Sequence, residues 1–191
     1  SGSFIGVPYG RNLFCAGNTQ LPDGRTLIAG GHISSDLGSA DTTIFDPISK
    51  TYFRGPDMTV GRWYPTVTQL ADGRSLVFSG DNIVQDRPSQ PHPFEDASVN
   101  SLPEIYNYKT NTWTDLTSAT LTSPLYPFMF LLSNGKVFDA GPDTVTRTLS
   151  PEQAAVVDAV RSGLDHLAKD PLGSNGSPAE QLADLLGAVD Q

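Results

Sequence analysis

The sequence predicts a mainly β chain, a partial β-propeller of about three blades at residues 1–149 followed by a C-terminal α-helical hairpin at residues 150–191. Three observations carry this. A turn-and-strand segment recurs three times in phase. A second strand-turn-strand segment recurs between the copies. Near residue 149 the composition and the hydrophobic period both change.

The first copy of the repeat is Leu21-Pro-Asp23-Gly24-Arg25-Thr-Leu-Ile-Ala-Gly30-Gly31. The second is Leu70-Ala-Asp72-Gly73-Arg74-Ser-Leu-Val-Phe-Ser-Gly80, and the third is Leu132-Ser-Asn134-Gly135-Lys136-Val-Phe-Asp-Ala-Gly141. Asp-Gly and Asn-Gly supply the positive φ that a tight hairpin turn needs. The apolar run after each turn predicts a short buried strand ending at glycine. The second segment runs from Ile44-Phe45-Asp46-Pro47 to Tyr52, and again from Ile105-Tyr106-Asn107-Tyr108 to Trp113. Repeat starts 49 and 62 residues apart (72−23 and 134−72), with four short strands per unit, match a kelch-type propeller blade. A generic β-hairpin array is the alternative, and it explains neither shared offset.

Counting back eight residues from each turn Asp or Asn gives Cys15, Tyr64 and Tyr126 (23−15, 72−64, 134−126). Equivalent positions of stacked repeats lie close in space. The single cysteine of the chain is therefore expected beside a tyrosine, on adjacent inner strands.

All 17 aromatic residues precede residue 149. Ser150-Pro151-Glu152-Gln153 is a capping box with proline at the first helical position. Val156, Val160, Leu164 and Leu167 then form a helical stripe. Ser177-Pro178-Ala179-Glu180 opens a second helix carrying Leu182, Leu185, Leu186 and Val189. The hairpin is expected to pack its stripes together and against the β body, because helices this short need tertiary contact. The proline-rich stretch 81–102 is expected to be a long loop inside the second blade.

A net charge of −9 argues against nucleic acid and anionic membrane surfaces as partners. No apolar run is long enough to predict a membrane span. One cysteine excludes an internal disulfide framework.

Over about residues 8–148 the sequence resembles the copper radical oxidases, galactose oxidase and, more closely, the glyoxal oxidases. Asn12-Leu-Phe-Cys15-Ala-Gly through Gly31 resembles a blade of that family. Gly55-Pro56-Asp57-Met58 with Arg62-Trp63-Tyr64-Pro65-Thr66 resembles the next conserved stretch. Leu125-Tyr126-Pro127-Phe128 and Phe138-Asp-Ala-Gly-Pro142 are similar to the following blade. The resemblance implies a thioether between Cys15 and Tyr64. It implies Tyr64 as a copper ligand that is oxidised to a radical. It implies a small aldehyde or primary alcohol and dioxygen as substrates, hydrogen peroxide as product, and an extracellular setting.

Family members have seven blades, and a second tyrosine and two histidines complete their copper site from later in the chain. The three histidines here, His32, His92 and His166, sit in no such motif. The family commonly shields its radical tyrosine with a nearby aromatic, and Asp81-Asn82-Ile83 offers no tryptophan for that role. A three-blade arc also leaves an open edge, which implies a covering partner chain or self-association. The other reading is a non-catalytic kelch-type scaffold or protein-interaction module.

Overall fold

The computed structural model describes residues 4–82 and 99–169. Its strands are β1 (Gly17–Gln20), β2 (Thr26–Ala29), β3 (His32–Ser34), β4 (Leu37–Gly38), β5 (Thr42–Asp46) and β6 (Thr51–Arg54), then β7 (Thr66–Gln69), β8 (Ser75–Phe78), β9 (Glu104–Asn107) and β10 (Thr112–Asp115), and finally β11 (Met129–Leu131), β12 (Val137–Asp139) and β13 (Arg147–Leu149). One helix, α1, covers Pro151–Lys169. Antiparallel sheets β1-β2-β5-β6, β7-β8-β9-β10 and β11-β12-β13 form three blades, and β3-β4 is a small separate hairpin. Strand β7 packs beside both β1 and β11, so the three first strands line one edge of the arc.

The recurring turns are one structure repeated. In each, the glycine N–H donates to the leading leucine carbonyl: Gly24 to Leu21 (2.9 Å), Gly73 to Leu70 (3.0 Å) and Gly135 to Leu132 (3.0 Å). The Asp or Asn carboxyl or amide oxygen accepts the N–H two residues on, from Arg25 (3.1 Å), Arg74 (2.9 Å) and Lys136 (3.1 Å). The glycines have φ of 86°, 87° and 80°. This is a type I turn closed by a left-handed residue, the three-residue hairpin loop. The second segment also pairs as its spacing predicts, Phe45 opposite Tyr52 and Tyr106 opposite Trp113.

Blades 1 and 2 share a core of Leu21, Leu27, Ile44 and Tyr106. Blades 2 and 3 meet around Leu70, Leu76, Ile105, Leu116 and Val137, with Ala154 of α1 completing that cluster.

The helix begins where the sequence places it, at Pro151, with the Ala154 N–H donating to the Ser150 carbonyl (3.0 Å) as its first turn. Its contact face differs from the expected stripe at Val156, the one stripe residue whose side chain is described. Val156 and Val157 are 37% and 47% exposed, whereas Ala154 is 9% exposed. Asp158 accepts the Thr117 hydroxyl (2.8 Å) and the Ser118 N–H (3.1 Å). The seated face is therefore Pro151, Ala154, Ala155 and Asp158, which follows i, i+3, i+4, i+7. Small alanines let the helix backbone approach the sheet edge, and the bulkier Val156 is turned outward. The second expected helix and most of the 81–102 loop lie outside the described residues. No described helix is long and apolar enough to cross a membrane.

Candidate functional site

The site lies where the chain enters the first strand of each blade. Cys15, Tyr64 and Tyr126 each adopt a left-handed backbone, with φ of 61°, 65° and 50°. This conformation is uncommon for a non-glycine residue and notable for a bulky one. It recurs because each residue ends an entry loop and must turn the chain into the strand that follows. The Tyr64 N–H donates to the Cys15 carbonyl (2.8 Å), and the Tyr126 N–H donates to the Tyr64 carbonyl (2.9 Å). The shared offset of eight thus corresponds to a ladder of equivalent residues, one per blade.

The central rung is held from within. The Arg62 side chain is fully buried and pairs with buried Glu104 at 2.6 Å. Its guanidinium also donates to the carbonyls of Ser79 and Leu102. Glu104 accepts the Thr59 N–H at 2.7 Å. Trp63 and Asp81 exchange backbone bonds in both directions. The Arg62 carbonyl accepts the Gly31 N–H at 3.1 Å, and the Arg62 N–H donates to Ser39. A side chain at Gly30, whose φ is +81°, would come within 2.3 Å of the Arg62 carbonyl oxygen. The segment before Tyr64 is therefore clamped between blades 1 and 2.

The structure brings Cys15 and Tyr64 together. Cys15 is a free, buried thiol. Its interaction with the Tyr64 hydroxyl, followed by burial and the negative charge of a Cys15 thiolate, pushes the phenol up to about 12. Burial, and then the Cys15 charge, raise Tyr126 as well. The Trp63 ring stacks on Tyr64 with centroids 4.1 Å apart and planes at 28°. Tyr126 also approaches, at 4.7 Å between centroids and tilted by 47°. An aromatic neighbour is thus present, supplied by the residue just before Tyr64 and not by the stretch after Gly80.

His32 opens β3 and sits 6.1 Å from Trp63 and 5.9 Å from Phe14, ring to ring. His92 lies outside the described residues, and His166 is carried on α1. Among the described residues, no three His, Cys, Asp or Glu side chains gather as a metal cluster. Phenolate oxygen suits Cu(II), so Tyr64 fits as one ligand of a copper ion, and the described residues do not supply a full set. Sequence reasoning left Trp63, Arg62 and Glu104 without roles. The only sequence signal for them was the Arg62-Trp63-Tyr64 run itself.

No family model matches the chain. It is 25% identical over 145 residues to galactose oxidase of Gibberella zeae, covering 70% of this chain and 19% of that protein. It is 30% identical over 139 residues to a WSC domain-containing protein of Arthroderma benhamiae, covering 68% and 14% of the two chains. The chain resembles part of a copper radical oxidase. Among solved structures, a fungal alcohol oxidase of the AA5 family, in complex with copper, superposes with a TM-score of 0.53 at 23% identity. That match covers 72% of this chain and 27% of the other, and it supports the propeller-like fold of this oxidase-like chain. The oxidase-like chain spans about one fifth of the galactose oxidase.

Proposed function

We propose that this chain supplies the Cys15–Tyr64 half of an extracellular copper radical oxidase site of the galactose or glyoxal oxidase kind. The substrates are a small primary alcohol or aldehyde and dioxygen. The observation that carries the reading is the juxtaposition of Cys15 and Tyr64 at equivalent positions of adjacent blades, with the Tyr64 N–H bonded to the Cys15 carbonyl at 2.8 Å.

Tyr64 holds copper through its phenolate oxygen, and Cys15 Sγ bonds to a ring carbon ortho to that oxygen. Forming the bond removes the thiol hydrogen and one ring hydrogen, and dioxygen accepts the two electrons and two protons as hydrogen peroxide. Copper, when bound, adds a one-electron couple to the one-electron couple of the modified ring, so that together they take two electrons from substrate. Trp63 covers one ring face and limits water there. The Arg62–Glu104 clamp fixes the backbone that aims Tyr64. The remaining ligands come from further sequence or from a partner chain, which also covers the open edge of blade 3.

Tryptic mapping after copper loading in air tests this. Residues 12–25 contain Cys15, and residues 63–74 contain Tyr64 as their one tyrosine. The two fragments are expected to be joined with loss of two hydrogens, and Cys15→Ser abolishes the link. Unlinked fragments after full copper loading refute the reading.

A non-catalytic propeller scaffold is the second reading. It draws on the incomplete donor set among the described residues, since a lone phenolate binds copper weakly. The Cys15–Tyr64 link separates the two, since a scaffold forms none, and peroxide release on adding aldehyde to the copper-treated chain is a second check. The chain alone is expected to show none above background, and robust turnover removed by Tyr64→Phe excludes the scaffold.

A further inference from the structure

The rung next to Cys15–Tyr64 has no part in the reading above, and its geometry is as close. Tyr64 and Tyr126 face each other at 4.7 Å between ring centroids. Their backbones are tied by the Tyr126 N–H to Tyr64 carbonyl bond of 2.9 Å. Both have left-handed φ, so the chain makes the same local turn at each ring. The Thr66 hydroxyl donates to the Pro127 carbonyl at 2.7 Å, which holds the residue after Tyr126 against the start of β7. Tyr126 is 42% exposed, so a soluble oxidant reaches it.

Two phenols so placed have a defined oxidative chemistry. A one-electron oxidant removes an electron and the hydroxyl proton from each ring. The two phenoxyl radicals then join at ortho carbons, and the ring hydrogens at those carbons move to the oxygens. The net change is one new carbon–carbon bond with loss of two electrons and two protons. The cost of bringing the rings together has already been met by folding, which raises the effective concentration of one ring at the other. Tyr64 has two ortho carbons, so coupling to Tyr126 leaves a second one for Cys15.

We propose that Tyr64 and Tyr126 form an oxidative modification site, where a one-electron oxidant creates a dityrosine bond that staples blade 2 to blade 3. The bond ties the third blade of the arc to the second. Because Tyr64 keeps a second ortho carbon, the bond is compatible with a separate link to Cys15.

The test uses the full chain, dilute, with a chelator present, oxidised by photo-excited tris(bipyridyl)ruthenium and persulfate. The monomer is isolated and digested with trypsin. Residues 63–74 and 110–136 each hold one tyrosine, Tyr64 and Tyr126. They are expected as a single linked species lacking two hydrogens. The link disappears in Tyr64→Phe and in Tyr126→Phe. In urea-unfolded chain its yield falls about tenfold or more, because the effective concentration is lost. Absence of the link in the folded chain overturns the proposal. So does an equal yield from unfolded chain, or persistence in Tyr126→Phe. Because copper is chelated and the fragments differ, failure here leaves the Cys15–Tyr64 reading standing, and the converse holds.

Discussion

Blade 2 and blade 3 carry the same turn at the same repeat position, yet the leucine that leads it meets different surroundings. Leu70 is 3% exposed and sits in the shared core, and Leu76 after the turn is 1% exposed. The equivalent Leu132 is only half-buried. On β11, Phe130 and Leu131 are 57% and 38% exposed. The turn geometry is local and survives unchanged, since three residues and one side-chain oxygen build it. Burial is supplied by neighbours. Strand β7 packs beside the first strands of two other blades, β1 and β11, whereas among the described residues β11 packs beside the first strand of one other blade, β7.

The sharpest way to break the well-supported region is at Arg62. Arg62→Ala leaves Glu104 buried without its partner, and loss of one member of such a pair costs about 3–5 kcal/mol. Urea denaturation of the variant should show a stability loss of that size. Melting at the wild-type temperature would mean that water enters and solvates Glu104.

The two leucines give the direct test of the comparison. Leu70→Ala opens a hole in the core and is expected to cost about 2–5 kcal/mol. Leu132→Ala, at the same repeat position, is expected to cost about 1 kcal/mol or less. Equal losses in denaturant titrations would show that something covers blade 3 in solution.

A smaller effect is expected where α1 meets the sheet. Asp158→Ala removes the acceptor for the Thr117 hydroxyl and the Ser118 N–H, at a cost of about 1 kcal/mol, as for other lost caps. A melting curve superimposable on wild type would show that the seated alanine face alone holds the helix.

The least effect on stability comes from pH. The Tyr64 phenol is raised from 10.0 to about 12, first by its hydrogen bond to Cys15. A proton held more tightly in the folded than in the unfolded chain adds stability below pH 10, and this contribution is lost as pH rises through about 12. Cys15→Ala removes both the acceptor and the thiolate charge. Phenolate absorbance of Tyr64, isolated as the difference from Tyr64→Phe, should then appear at lower pH. An unmoved titration would assign the shift to burial.

Much of this was legible in the sequence. Asp23-Gly24, Asp72-Gly73 and Asn134-Gly135 announce their turns because the requirement is local. The offset that aligns Cys15 with Tyr64 is equally readable, since the repeat fixes it. The Arg62–Glu104 pair was not, because its partners are 42 residues apart and neither has a local signature. The stacking of Trp63 on Tyr64 was hidden for another reason. Trp63 and Tyr64 precede β7, where no strand or helix period tells which way consecutive side chains point. The α1 face was misjudged at Val156 because the stripe ranks residues by hydrophobicity, whereas close approach to the sheet favours the smaller Ala154.

The left-handed turn at Cys15, Tyr64 and Tyr126 makes the reactive pair a property of a step and not of a particular pair of residues. Each step carries one carbonyl-to-N–H rung and one change of blade, and the structure contains two such steps in succession. A cysteine placed at the second rung by Tyr64→Cys would stand to Tyr126 as Cys15 stands to Tyr64. The same backbone step would therefore place a cysteine beside a tyrosine one blade further along the arc, with no change in the scaffold.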